Sequence, residues 1–168
     1  MNFSLKQKIY VLFGILLSIF TLDQTTKNWA VQVLKDQPSI SYLGGLFQWI
    51  YAENPGAFLG MGGGLSREIR FVLFAVIVLV GLSFMIWYLL KKETSKVNLI
   101  AYAFILGGGF GNLWDRVAHQ NGHVVDFMLI EVYGPLRTGV FNIADVAIMV
   151  GVFLALFGER LFRHRQKS

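Results

Sequence analysis

Asp126, in Gly122-His123-Val124-Val125-Asp126-Phe127, and Asp145, in Phe141-Asn142-Ile143-Ala144-Asp145, are two acids set among apolar residues. The other long segments of the chain look membrane-embedded, and an ionisable group at that depth needs a partner or a task. Two carboxylates brought within roughly 3 Å of each other cannot both ionise, so they share a proton and hold an acid and a base side by side. Such a pair can activate a water molecule against a carbonyl carbon and protonate the leaving group. The rest of the residue inventory narrows the chemistry. There is no cysteine, which removes disulfides, thiolate metal sites, a thiol nucleophile and any lipidated cysteine on this chain. His123 has no second histidine at ligand spacing, so it reads as a loop residue and not as a base or a metal ligand.

Further polar residues stand where they can support the two acids. Asp23 and Lys27 are one helical turn apart and read as an intrahelical ion pair. Asn54, in Glu53-Asn54-Pro55-Gly56-Ala57-Phe58-Leu59-Gly60, is a turn residue by backbone preference alone. Asn112 and Arg116 are again one turn apart, and Asp115 is expected to pair with its neighbour Arg116. Asn142 followed three residues later by Asp145, before an apolar run, has the form of a helix cap. Capping would account for Asn142 and Asp145 and leaves Asp126 unexplained.

The elements that position these residues belong to a membrane protein. The chain has 168 residues, 55% of them hydrophobic and 15% charged, with a mean hydropathy of +0.55, which is wrong for a soluble domain of this size. One membrane-embedded domain, 1–168, is expected, with transmembrane helices at about 9–29, 71–90, 97–114 and 140–159. The first reads as a retained helix, because no small-x-small cleavage site follows Phe20 and no helix breaker stands before Pro38. Segments 35–70 and 115–139 are expected outside the membrane. The first of them, with Pro38, Gly44, Gly45 and alternation through Phe47-Gln48-Trp49-Ile50-Tyr51, reads as a small interfacial sheet. Gly62 to Gly64 would be a joint for a flap over the site, and the glycines Gly107, Gly108, Gly109 and Gly111 allow a helix or a substrate to approach closely. Lys6 and Lys8, Lys91 to Lys96, and the tail from Arg160 to Lys167 fall on one side, which the positive-inside rule makes cytoplasmic. Asp126 and Asp145 then lie near the outer face. The net charge of +5 clusters beside apolar runs and suits anionic membrane lipid, not nucleic acid.

The order and spacing of Ile105-Leu106-Gly107-Gly108-Gly109-Phe110-Gly111-Asn112-Leu113-Trp114-Asp115-Arg116, Gly122-His123-Val124-Val125-Asp126-Phe127 and Phe141-Asn142-Ile143-Ala144-Asp145 resemble bacterial lipoprotein signal peptidase, signal peptidase II. Leu22-Asp23-Gln24 with Lys27, and Asn54 with Gly56-Ala57, resemble two further motifs of that family. The resemblance implies an all-α polytopic membrane protein of four transmembrane helices with a small extracytoplasmic β-cradle. It implies an aspartyl endopeptidase that cuts diacylglyceryl-modified prolipoproteins just before the lipidated cysteine. Asp126 and Asp145 match the catalytic dyad; Asn54, Gly56, Asn112, Arg116 and Asn142 match positions around the substrate; Asp23, Lys27 and Asp115 match supporting positions. No cofactor is implied, a monomer in the bacterial inner membrane is expected, and the family's antibiotic ligand is globomycin. One departure stands out: the usual Asn-x-Gly-Ala-Ala-Phe is here Asn54-Pro55-Gly56-Ala57-Phe58-Leu59, which bears on the clamp over the substrate and not on the dyad.

Two other classes fit these residues less well. A proton-coupled transporter would show a repeat between its halves and acids at the midplane, and neither is present. A non-catalytic scaffold would tolerate asparagine at both Asp126 and Asp145. Within the peptidase reading the two acids are unequal: Asp145, in the first turn behind Asn142, is the expected resting anion, and Asp126, without comparable donors in sequence, is expected to keep its proton.

Overall fold

The computed structural model describes residues 3–57, 61–133 and 136–163. Among them are the long helices α1 (Leu5–Val33), α2 (Arg67–Lys91), α3 (Lys96–Ala118) and α4 (Ile143–Arg163). Strands β1 (Ile40–Tyr42), β2 (Phe47–Asn54), β3 (Val124–Tyr133) and β4 (Leu136–Arg137) form one antiparallel sheet in the order β1-β2-β3-β4. Helices α1, α2 and α3 are long and apolar enough to cross a membrane. Helix α4 carries Asp145, Glu159 and Arg160 within its 21 residues.

The helices are built for lipid outside and tight packing inside. Phe13, Leu17, Leu79, Val80, Phe84, Trp87, Met149, Phe153 and Leu156 are exposed, whereas Leu12, Ala75, Leu82, Leu89, Leu99, Ala103, Leu106 and Leu113 form the buried core of the bundle. Interfaces of this kind depend on small residues, because association in lipid comes from close packing. Gly108 shows why: a Cβ there would collide with the main-chain oxygen of Ala144 on α4. A Cβ on Gly111 would stand 2.6 Å from the Asp23 carboxylate of α1. The glycines of α3 therefore serve helix packing around α1, α2 and α4. At the opposite end, Lys8 donates to the carbonyls of Leu89 (3.1 Å) and Lys92 (2.6 Å), satisfying the open C-terminus of α2.

A second core joins the sheet to α1. Val125, Phe127 and Met128 of β3 bury themselves with Ala30 and Leu34, and Phe47, Trp49 and Tyr51 of β2 pack against them. Trp49 stacks on Phe127 with centroids 5.9 Å apart. The register shifts between Trp49 and Ala52, and beyond the irregularity Ala52 pairs with Asp126 and Asn54 with Val124. That bulge re-aims the end of β2 so that Asn54 meets the carboxylate of Asp126.

Several expectations are corrected. Helix α4 starts at Ile143 and not at residue 140, since Asn142 caps it. Helix α1 runs on to Val33, past residue 29, as the absence of a breaker before Pro38 permits. The segment 115–139, expected outside the membrane, contains the last turn of α3 and the long strand β3, which carries Asp126. The expected small β-cradle is present as a four-stranded antiparallel sheet and forms part of the site. Helix α2 includes a π-helical stretch over Val72–Val76 that nothing in the sequence announces. Phe58, Leu59 and Gly60, where the clamp motif departs from the family pattern, and the basic tail from His164 onward lie outside the described residues.

Candidate active site

Asn142 is the residue through which the two acids meet. As the cap of α4 it accepts from the Asp145 main-chain N–H (2.9 Å), and its own main-chain N–H donates to Asp145 Oδ2 (3.1 Å). This is the reciprocal capping box that the Asn-x-x-Asp spacing predicts. Its carboxamide nitrogen is left free for other acceptors, and it donates to Asp126 Oδ1 at 2.6 Å and to Asn112 Oδ1 at 3.0 Å. The capping role and the site role are therefore one arrangement. Asn142 is fully buried and Asp126 is 2% exposed.

Each carboxylate receives a second amide. Asn54 Nδ2 donates to Asp126 Oδ2 (3.0 Å) from the end of β2, and Asn112 Nδ2 donates to Asp145 Oδ1 (2.9 Å) from α3. No lysine or arginine forms a salt bridge with either acid among the described residues. Burial raises the pKa of Asp126 to about 7, the charge of Asp145 adds to that, and the Asn54 and Asn142 hydrogen bonds work in the opposite direction. An acid poised there can hold or release its proton near neutral pH.

A second pair of acids lies behind the first and is tied differently. Lys27 Nζ stands 2.7 Å from Asp23 and 3.0 Å from Asp115, and it also donates to Asn112 Oδ1 at 3.0 Å. All three charged residues are buried. The expected Asp23–Lys27 pair is present, but Asp115 pairs with Lys27 and not with Arg116, because Asp115 turns inward from α3 while Arg116 turns toward the loop after β2. Gln24, given no role by the sequence, bridges the two acids with donations to Asp115 Oδ1 (2.9 Å) and Asp23 Oδ2 (3.2 Å). Its position beside Asp23 was the available signal, but neighbouring residues on a helix point apart and give no reason to join them.

This charged hub holds the elements that carry Asp126 and Asp145. Asp23 Oδ1 accepts from the Ala144 N–H (2.9 Å), an open donor in the first turn of α4. Asp115 Oδ2 accepts from the Val125 N–H (3.1 Å), one residue before Asp126. One acid of the hub thus fixes the helix of Asp145 and the other fixes the strand of Asp126. Lys27 reaches the same centre through Asn112.

The remaining candidates form the rim. Gly56 donates its N–H to Asn54 Oδ1 (2.9 Å), closing the turn, and its carbonyl accepts from Arg116 Nη2 (2.8 Å). Arg116 Nη1 returns to the Asn112 carbonyl (2.9 Å), and its guanidinium lies 5.7 Å from the ring centroid of Phe74. Phe74, within the π-helical stretch, also lies against Gly62; no sequence signal marks it. His123 belongs to the rim as well, 3.3 Å from Glu53, away from the two acids. Gly62 adopts a φ of +77°, so the triple glycine contains a defined turn.

The chain is similar to known proteins over most of its length. Residues 15–160 match the family model of signal peptidase II. The chain is 37% identical over 159 residues to the lipoprotein signal peptidase of Pelodictyon phaeoclathratiforme, covering 89% of this chain and 90% of that one. With the lipoprotein signal peptidase of Psychromonas ingrahamii it shares 40% identity, covering 89% and 83% of the two chains. A solved bacterial membrane enzyme superposes with a TM-score of 0.72 at 24% identity, covering 94% of each chain. A second, with a TM-score of 0.70 and 23% identity, covers 99% of this chain and 94% of that chain; at that identity the likeness concerns the fold. With the motifs and the fold in agreement, this chain belongs to the lipoprotein signal peptidase family, the signal peptidases of class II, membrane proteases that remove signal peptides from prolipoproteins.

Proposed function

We propose that the chain is an aspartyl endopeptidase that cleaves diacylglyceryl-modified prolipoproteins just before the lipidated cysteine, with Asp126 and Asp145 as its dyad. The observation that carries this reading is the position of Asn142, which donates its side chain to one acid and its main chain to the other. Asp145 acts as the base, since it sits in the first turn of α4, where the helix dipole favours a carboxylate. Asp126, whose pKa is raised to about 7 by burial and by Asp145, acts as the acid. A water between them loses a proton to Asp145 as its oxygen attacks the scissile carbonyl, while Asp126 donates a hydrogen bond to the developing oxyanion and then protonates the leaving amine. No acyl-enzyme forms. Asn54, Asn112 and Asn142 orient the two acids, and Arg116 and Gly56 close the rim over the substrate backbone.

All four long helices span the bacterial inner membrane in this reading, with both termini and the Lys91 to Lys96 turn cytoplasmic and the dyad toward the outer face. The enzyme acts as a monomer, needs no cofactor, and is a target for globomycin-type inhibitors. Incubating the purified protein with a diacylglyceryl-prolipoprotein should release a fragment whose new N-terminus, read by mass spectrometry, is the lipidated cysteine. Cleavage elsewhere, or a covalent substrate adduct trapped on the protein, would overturn it. Orientation has its own test: in this cysteine-free chain, a single cysteine placed at Glu93 should resist impermeant thiol reagents in intact spheroplasts.

A further inference from the structure

Beside the site lies a concave pocket of about 210 Å³ lined by Arg67, Arg70, Arg116 and His119, among others. Three guanidinium groups on one small cavity form a strong positive field, and arginine is the side chain suited to bidentate contact with a phosphate. Carboxylates act on them only from beyond salt-bridge distance, Asp115, Asp126 and Asp145 on Arg116 and Glu68 on Arg67 and Arg70. None of the three forms a salt bridge with a carboxylate among the described residues. Glu68 is exposed on the same turn as Arg67 and Arg70, and Glu53 is occupied by Tyr51, Asn121 and His123. Arg116 also buries its Nε without an acceptor. Position adds to the case: Arg67 and Arg70 stand at the N-terminal end of α2, where cations oppose the helix dipole, so local helix stability does not account for them.

A second cavity of about 260 Å³ adjoins the first. Phe71 and Val117 line both, and the rest of its wall is apolar, with Phe20, Ala75, Leu79, Phe110, Leu113 and Trp114 among its residues. It runs between α1, α2 and α3 on the surface we assign to lipid. A cationic pocket opening directly onto an apolar groove is complementary to one molecule with a phosphate head and a hydrocarbon tail. We infer that these joined cavities are a binding site for an anionic glycerophospholipid of the surrounding membrane, with its phosphate among Arg67, Arg70 and Arg116 and one acyl chain along Trp114 and Leu79. The site shares Arg116 with the rim, but neither Asp126 nor Asp145 lines it, and it does not depend on the peptidase reading, because lipid is bound here without being cleaved.

Trp114 in the groove wall gives the test its own signal. Full-length protein in phosphatidylcholine nanodiscs is titrated with phosphatidylglycerol brominated on its acyl chains, and tryptophan quenching is followed, with Trp114→Phe identifying the component from the groove. Saturable quenching of that component is expected. Each arginine at a lipid surface contributes enough that Arg67→Gln should weaken half-saturation about fivefold, and Arg67→Gln/Arg70→Gln about thirtyfold. Both side chains lie at the rim, and the single variant keeps the test open should the double variant fold poorly. Inorganic phosphate should not displace the lipid. Equal quenching by brominated phosphatidylcholine, unchanged half-saturation in the arginine variants, or displacement by inorganic phosphate would each overturn the proposal, the last by making the pocket a site for the free anion.

Discussion

The protein buries two pairs of aspartates a few side chains apart and treats them in opposite ways. Asp23 and Asp115 share one ammonium, that of Lys27, and each also accepts a main-chain N–H. Asp126 and Asp145 receive only amides, from Asn54, Asn112 and Asn142, with no cation in salt-bridge contact among the described residues. A buried carboxylate paired with a buried cation ties its elements together, and removing either partner is strongly destabilising. Held by neutral donors and facing another acid, it keeps a variable proton. Ionic neutralisation therefore marks the scaffold, and amide solvation marks the pair we propose as reactive.

Substitutions should separate the two pairs, and the largest effect falls on rate. Asp126→Asn or Asp145→Asn should lower cleavage by roughly 10³-fold or more, since the amide preserves volume but cannot exchange the proton, while both proteins keep their helical content. Near-parental turnover of a lipidated prolipoprotein by either would break the comparison. Next, Lys27→Met leaves Asp23 and Asp115 buried without their cation and should cost about 3–5 kcal/mol of stability, read as loss of folded protein in detergent. An intact, fully active Lys27→Met protein would show that the hub is dispensable.

The pH dependence sharpens the contrast further. The folded pKa of Asp126, about 7, lies above its ordinary value of 3.8. The folded state therefore holds a proton that the unfolded chain releases, and the group's contribution to stability is full below pH 3.8 and is lost as pH rises through about 7. Asp126→Asn should accordingly raise the melting temperature relative to the parent at pH 8, with a smaller difference at acidic pH, about pH 5. Cleavage by the parent should fall on the alkaline side as Asp126 loses its proton, within a bell-shaped profile whose two apparent values belong to the pair. The smallest effect is expected at the rim. Replacing Gly62, Gly63 and Gly64 by alanine strains the turn, where Gly62 has a φ of +77° and lies against Phe74, and should alter KM with the cut position unchanged; parental kinetics would leave these glycines as a plain connector.

The sequence made Asp126 and Asp145 legible as candidates because each stands alone in an apolar setting, and it made the cap legible because Asn142 and Asp145 have capping-box spacing. The spacing of Asp23 and Lys27 likewise revealed their ion pair. Asp115 was misassigned to Arg116 for a physical reason: adjacent residues on a helix diverge, and the true partner, Lys27, comes from α1 through a long-range contact. Strand β3 escaped notice because Val124 to Tyr133 carries apolar residues on both faces, so the period-two alternation of a half-buried strand is missing. The arginine pocket draws Arg67 and Arg70 from one helix and Arg116 from another, a convergence that linear spacing does not encode.

The central claim, that Asp126, held by amides, keeps a proton near neutral pH, can be tested by infrared titration of carboxyl absorption in the parent and in Asp126→Asn, Asp23→Asn and Asp115→Asn proteins. The account predicts a protonated carboxyl signal that fades as pH rises through about 7 in the parent, persists in the Asp23→Asn and Asp115→Asn proteins, and is absent from Asp126→Asn. Its survival in Asp126→Asn, or its loss on substituting Asp23 or Asp115, would contradict the account by placing the proton on the scaffold pair.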